Sequence, residues 1–502
     1  MSPPNAVVIG AGFGGIAAAL RLRAKGFAVS VYDRCQRLGG RAQQFSRGGF
    51  KHDAGPTVIT APFLFDELFE LFGENRADHV EFKPLPLWYR FQFDDGSTFD
   101  YGEGIENTLE QIGRISPEDQ QGYLRLLNES KKIYEVGFEG LADQPFHELK
   151  RMLSVLPDMA RLRVQRSVWD LVCSHLQHDK LRQAFSIQPL LVGGNPFDTT
   201  CIYNLIHYLE RQHGVYFSMG GTAALVDALE DLMVRQGIEI HTSSTVSEIL
   251  CREGRVHGLR LEDGHVVEAD LVVANADPAY VYEHMLPDVQ TGIGSSLKSR
   301  FATKSMGLYV LYFGTTKQYE DVAHHTICLG PRYKGLLDDI FHNQILADDF
   351  SLYLHRPTAT DPSFAPAGCD SFYALVPVPN LEADIDWNVV GSDLRNKCVA
   401  ALEKYTLPGL SDCIVEDFWM TPKDFETNYL SPAGAGFSIA PSFTQSAWFR
   451  FHNKAEVDGL YFVGAGTHPG AGLPGVLSSA KVLDALLDHQ LSERADVVGE
   501  QL

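Results

Sequence analysis

Gly10, Gly12 and Gly15 stand between an apolar run, "AVVI", and a helical pattern, "IAAALRLRAKG". Asp33 closes the next apolar run, "AVSVY", 21 residues after Gly12. That spacing suits a dinucleotide. Gly10 permits the tight turn, Gly12 lets the backbone approach a pyrophosphate, and Gly15 lets the helix lie close on the strand. The helix then presents unpaired N–H groups to the phosphates, and a carboxylate at 33 reaches the ribose hydroxyls of an adenosine. NAD and FAD share that adenosine, so Asp33 does not choose between them.

Two more glycine loops bear on the choice. In Arg37-Leu38-Gly39-Gly40-Arg41 a flexible turn carries two cations, where a compact nicotinamide domain would pass into its next helix. The planar fork of arginine suits phosphate oxygens. Near the C-terminus, Pro474 and Gly475 precede "VLSSAKVLDALL", with proline where a first helical turn favours it. The partial positive charge of such a helix start would stabilise a flavin that has accepted a hydride.

The elements that must position these loops are spread along the chain. "GGTAALVDALEDLMVRQG" reads as a helix and "IEIHTSSTVSEIL" as a strand, followed by a hairpin that feeds the buried strand of "ADLVVANADP". "GLYFVGAGTHPGAGLPGVLSSAKVLDALLDH" reads as strand, glycine loop and helix. The βαβ material therefore resumes twice, far downstream of its start. Between its pieces, residues 79–102 read as strands with a hairpin at Asp94-Asp95-Gly96, residues 105–210 as helices, and residues 285–450 as a mixture.

A chain of 502 residues exceeds one core and should form two or three domains. Its formal charge of −22 argues against nucleic acid as a partner. The eight cysteines include no C-x-x-C pair, so reduced thiols are expected. "MSPPN" carries no basic residue and leads at once into the first strand, which predicts a cytoplasmic protein without a signal peptide. The uncharged stretches 427–449 and 459–480 are broken by proline and glycine and should not cross a membrane.

The sets "GAGFGG…YD", "RLGGRA", "DAGPTVIT", "LLVGGNPF", "ADLVVANADP", "HHTICLGPRY" and "VGAGTHPGAGLPGV" resemble, in order and up to about residue 485, those of bacterial-type phytoene desaturases of carotenoid synthesis. The resemblance implies FAD, a C40 polyene substrate and successive dehydrogenations. It implies an α/β fold of flavin amine oxidase-like topology: a three-piece Rossmann-like FAD-binding domain (1–60, 214–284 and 455–502), an inserted α+β substrate domain (61–104 and 285–454) and a helical membrane-associating subdomain (105–213). Carried over position by position, it puts Gly10, Gly12, Gly15 and Asp33 on the ADP half of FAD, with Arg34, Gly39, Gly40 and Arg41 along it. Pro56, Thr57 and Val58 would line the flavin ring. Val246, ending the strand "HTSSTV", would meet the adenine, and Gly466, Gly475 and Val476 would lie against the ribityl chain and ring. Ala465 departs from the amine oxidases, which often have an acid there, and agrees with the desaturase variant.

A hydrocarbon offers nothing to polarise, so shape and burial must recognise it. Dehydrogenation removes a hydride, to the flavin, and a proton from the neighbouring carbon. The sequence does not identify the base; Asp53 in "KHDAGP" and the pair His324 and His325 are the candidates. An electron acceptor, oxygen or a quinone, must then reoxidise the flavin. His175 and His178 could share a helical face, but no H-E-x-x-H or acidic cluster accompanies them, so no metal site is expected. Residues 148–185 hold seven Lys/Arg against four Asp/Glu, with Met152, Leu153, Leu156, Met159, Leu162 and Trp169 at roughly helical spacing. This segment is expected to rest on the inner face of the cell membrane as a peripheral anchor. A C30 (diapocarotenoid) or other carotenoid desaturase, an isomerase, and a carrier of flavin or carotenoid without turnover are the alternatives.

Overall fold

The computed structural model of the chain describes residues 3–147, 149–286 and 298–499. Glu148, the first residue of the basic segment, lies outside them, as do residues 287–297 of the second expected domain and the last three of the chain.

Five parallel strands make the first sheet, in the order Leu460–Phe462, Leu271–Ala274, Asn5–Ile9, Ala28–Tyr32 and Glu239–His241. Val7 pairs with Ser30 on one side and Val272 on the other, and Val273 pairs with Tyr461. Strands covered on both faces lose the alternation of polar and apolar residues, which is why "AVVI" and "LVVA" are unbroken apolar runs. One face packs through Val8 and Val273 on the helices Phe13–Ala24, Gly221–Arg235 and Leu473–Gly499. The other packs through Val7, Val272 and Phe462 on a three-stranded meander, Val246–Arg252, Arg255–Leu261 and Val266–Glu268.

The stretch "IEIHTSSTVSEIL" is not one strand. Glu239–His241 ends the parallel sheet, Ser243 turns at φ +52°, and Val246 opens the meander instead of closing a strand. The amides of Ser243 and Ser244 bond the carbonyls of Cys35 and Asp33, which draws the polar turn across the end of the sheet.

The second sheet has seven strands, in the order Ile414–Met420, Gly307–Thr315, Asp370–Val378, Leu352–His355, His325–Cys328, Leu87–Gln92 and Thr98–Gly102. It is antiparallel except between His325–Cys328 and Leu87–Gln92. Tyr309, Leu311 and Phe313 meet Leu394, Cys398 and Leu402 of the helix Trp387–Tyr405 on its outer face. The helix Phe63–Glu70, expected with this sheet, packs instead on the first layer: Phe65 and Leu68 join its core, and Glu67 pairs with Arg21 at 3.0 Å and Lys481 at 3.1 Å.

The described residues between 105 and 213 are mainly helical, and they cap the second sheet with a core that includes Trp88, Tyr101, Tyr123 and Phe185. Arg211 ties that end together, bonding the Gly102 carbonyl (2.7 Å), the Tyr123 hydroxyl (2.9 Å) and Thr108 Oγ1 (2.6 Å). All eight cysteines are unbridged.

Candidate active site

One cavity of ≈ 520 Å³ runs between the two sheets, and the loops at Gly10–Gly14, Gly39–Gly40 and Gly464–Gly475 line it. At its first end, Gly10 turns at φ +88° and Gly39 at φ +104°, and the two loops meet where Gly39 N bonds the Ala11 carbonyl at 2.8 Å. Asp33 is buried and accepts from the amides of Ala11 (2.6 Å) and Cys35 (2.7 Å). Burial raises its pKa, against the pull of those bonds. The carboxylate therefore shapes the glycine turn as well as facing the cavity.

Among the expected cofactor residues, Gly10, Gly12, Asp33, Arg34, Gly39, Gly40, Arg41, Pro56, Thr57, Val58, Val246, Gly466, Gly475 and Val476 all line this cavity. Gly15 does not. A Cβ there would overlap the Gly10 carbonyl, so its part is the close fit of helix on strand. Arg37 faces away, exposed, toward Asp227 at 3.6 Å. Gly14 was not singled out, yet a Cβ on it would come within 2.6 Å of Asn275 Oδ1 and 3.1 Å of the Gly464 Cα. The glycines keep side-chain bulk out of a seam that the backbone walls on three sides.

The donor set fits a pyrophosphate. Arg41 reaches Ser431 Oγ at 2.5 Å, while its buried Nε has no partner in the protein. Burial lowers its pKa, against the partial offset of the nearby Asp277 carboxylate. An anion bound against this cavity-lining guanidinium would offset the rest of its charge. Opposite, the start of the C-terminal helix, Leu473 to Val476, forms part of the wall. Arg450 holds that loop in shape by bonding the carbonyls of Ala465 (2.5 Å) and Thr467 (3.0 Å).

The rest of the wall is a different kind of surface. Leu308, Val310, Leu375 and Pro377 reach it from the inner face of the second sheet, and Leu190 and Val192 from the "QPLLV" turn. Tyr353 and Tyr373 share Thr57 Oγ1, at 3.1 and 2.9 Å. Glu210 is the polar exception. It sits on the helix Leu205–His213, fully buried, with one carboxyl oxygen 2.8 Å from the Tyr89 hydroxyl and the other without a partner in the protein. Burial pushes its pKa up to about 8, beyond what the Tyr89 bond and Arg211 restore.

Asp53, His324 and His325 do not line the cavity. His325 stands behind the wall, its Nδ1 2.6 Å from the Tyr353 hydroxyl. His324 turns its Nδ1 to Thr360 Oγ1 at 2.7 Å. Asp53 closes the short strand Phe50–Asp53 and meets the start of the helix Gly221–Arg235, where Gly221 leaves room for it. None is placed to touch a substrate, and the three gather instead around His355. Glu210 was missed because "LIHYLERQHG" reads as an ordinary amphipathic helix with a charged outer face. Only the fold reveals that this face is covered.

A parallel βαβ layer with a phosphate seam, opened on one side to an apolar chamber, defines a flavoprotein oxidoreductase with an inserted substrate sheet. The profile of the flavin containing amine oxidoreductases matches residues 13–482, and the chain belongs to that family and, within it, to the bacterial phytoene desaturases. It is 44% identical to a lycopene-forming phytoene desaturase of Pseudescherichia vulneris, over 97% of this chain and 99% of that one. It is 43% identical to a neurosporene-forming phytoene desaturase of Rhodobacter capsulatus, over 96% and 94%. The fold is similar to that of cyclohexylamine oxidase from Brevibacterium oxydans, with a TM-score of 0.64 at 15% identity, covering 98% of this chain and 100% of that one.

Proposed function

We infer that the chain is an FAD-dependent desaturase that introduces successive double bonds into phytoene. The observation that carries this reading is the division of one cavity into a seam suited to an anionic dinucleotide and a chamber of aliphatic and aromatic side chains. Arg41, Asp33 and the glycine turns would hold the ADP half of FAD, and Pro56 to Val58, Gly475 and Val476 its ring. Bound there, FAD supplies the two-electron acceptor for a hydride from an allylic carbon. The chamber excludes water, orients the polyene by shape alone, and leaves Glu210 as the ionisable group on the apolar wall. Its carboxylate form is our candidate for the proton acceptor on the neighbouring carbon.

The helix Leu149–Leu162 supports docking on a lipid surface. Leu153 and Leu156 stand exposed beside Lys150 and Arg161, while Val155 and Leu162 turn inward. Trp169 packs against Phe197 and Tyr333 and is not part of that face. The helix lies over the turn around Leu141, next to the cavity residues Gly137, Phe138 and Ala142. Among the described residues no helix is long and apolar enough to cross a membrane. A dissolved polyene would pass from the bilayer beneath this helix into the chamber. Oxygen or a quinone would then take the electrons.

The direct test is anaerobic mixing of the purified yellow protein with phytoene in vesicles. Bleaching of the visible flavin absorption, with formation of coloured polyenes, is expected. Bleaching by amines and not by phytoene would overturn the reading.

A further inference from the structure

His324, His325 and His355 come together behind the chamber wall, and all are buried. His325 and His355 are direct partners across neighbouring antiparallel strands. His324, one residue before its strand, folds its ring onto both, with centroids 4.5 and 4.8 Å away. One ring nitrogen from each lies within 4.8 Å of the other two. Asp53 approaches from the opposite side, its Oδ2 3.9 Å from His355 Nε2.

Each of these four side chains carries an unpaired atom. Nε2 of His324, Nε2 of His325, both ring nitrogens of His355 and Oδ2 of Asp53 are buried without a hydrogen-bond partner in the protein. Buried polar atoms are almost always satisfied, and three clustered imidazoles with a carboxylate beside His355 call for a common partner. The remaining nitrogens are already fixed: His324 Nδ1 by Thr360 and His325 Nδ1 by Tyr353, whose hydroxyl leans on Thr57. Metal-binding imidazoles are held in this way, one nitrogen oriented by an oxygen and the other directed to the ion. Arg356, close enough to weigh on His324, is taken up by Asp370 at 2.9 Å. Asp361 adds a second negative charge near Asp53.

We propose that His324, His325, His355 and Asp53 form a closed, tetrahedral site for a divalent cation, zinc(II) by its nitrogen and oxygen donors. Around zinc, ligand atoms stand roughly 3.4 Å apart, so the rings need to draw in by about an ångström. With four protein ligands and no open position, the site would be structural. It would pin the segment that leads from Asp53 into Pro56-Thr57-Val58 onto the large sheet, fixing one wall of the chamber from behind. The spacing of the histidines in the sequence hides this, because the third ligand comes from the adjoining strand and the fourth from the far side.

Metal analysis of the purified full-length holoprotein tests the site independently of turnover. About one zinc per chain is expected, falling below a fifth of that in His355→Ala and in the milder His324→Gln. Dipicolinate with gentle warming should lower the melting temperature of the wild type, and zinc(II) chloride alone should restore it. If either variant fails to fold, the wild-type measurement still decides. A wild type that carries no metal, takes up none from zinc(II) chloride and melts at the same temperature with chelator would overturn the site and leave buried water as the common partner.

Discussion

At the scale of residues, the proposed reaction would give two side chains separable parts. Arg41, half-buried, is the proposed cation of the phosphate seam, and its loss would remove charged hydrogen bonds of about 1.5–3 kcal/mol. Arg41→Ala should therefore weaken FAD roughly ten- to hundredfold, read by flavin fluorescence titration, with Arg41→Lys in between. Glu210 would act through one proton. Its carboxyl, ordinarily near 4.5, is raised to about 8 in the fold. Between those values the native chain keeps a proton that the unfolded chain has released, so stability falls as pH rises, by at most about 1.4 kcal/mol per pH unit. Turnover should run the other way, climbing toward pH 8 as the carboxylate forms. Glu210→Gln should remove both slopes at once; a variant that keeps the rising limb of turnover would exclude Glu210 as the proton acceptor. The glycine turns and Asp33 were legible in the sequence because their chemistry is local, set by neighbours a few positions away. Glu210 was not, since its meaning comes from Tyr89 and a covered helix face more than a hundred residues distant.

At the scale of elements, the strand Gly307–Thr315 is buried at every position, and its two faces do different things. Tyr309, Leu311 and Phe313 face the helix Trp387–Tyr405, whereas Leu308 and Val310 face the chamber. Tyr309→Ala should cost about 3–5 kcal/mol, seen in the melting curve, with the product pattern unchanged in the protein that remains folded. Val310→Phe should instead add bulk to the chamber, keep the melting temperature within a few degrees, and shift products toward fewer new double bonds on pigment analysis. Equal effects of the two on product length would contradict this division of faces. A strand covered on both sides gives an unbroken apolar string, so "GLYVLYF" could be recognised as buried but not as half core and half substrate wall. The break at Ser243 escaped for a related reason: the β-branched Thr242, Thr245 and Val246 read as extended whether or not the chain changes sheets between them.

At the scale of the whole molecule, the proposed docking of a chain with a formal charge of −22 on a bilayer would need a region that escapes its own field. The helix Leu149–Leu162 and the turn after it are the proposed region, and the cations there differ in how they are held. Arg166 is held by Glu129 at 2.6 Å, and its reversal would disturb the helical core as well as the surface. Lys150, Arg161 and Arg163 are exposed; Arg161 shares its charge with an exposed neighbour, Asp158. Each cation near an anionic surface contributes about 1 kcal/mol, so Lys150→Glu with Arg163→Glu should lower partition onto anionic vesicles by at least roughly thirtyfold. Leu153→Ser with Leu156→Ser should weaken binding to neutral and anionic vesicles alike, because it removes apolar burial instead of charge. Salt separates the two contributions: raising ionic strength should mimic the first pair and leave the second difference intact. Turnover on phytoene dispersed in mild detergent should survive both pairs, since neither touches the chamber, while turnover on vesicle-borne phytoene should fall with binding. If cosedimentation is unchanged in both pairs, the lipid surface is met elsewhere on the molecule, and the path beneath this helix is not the substrate's way in.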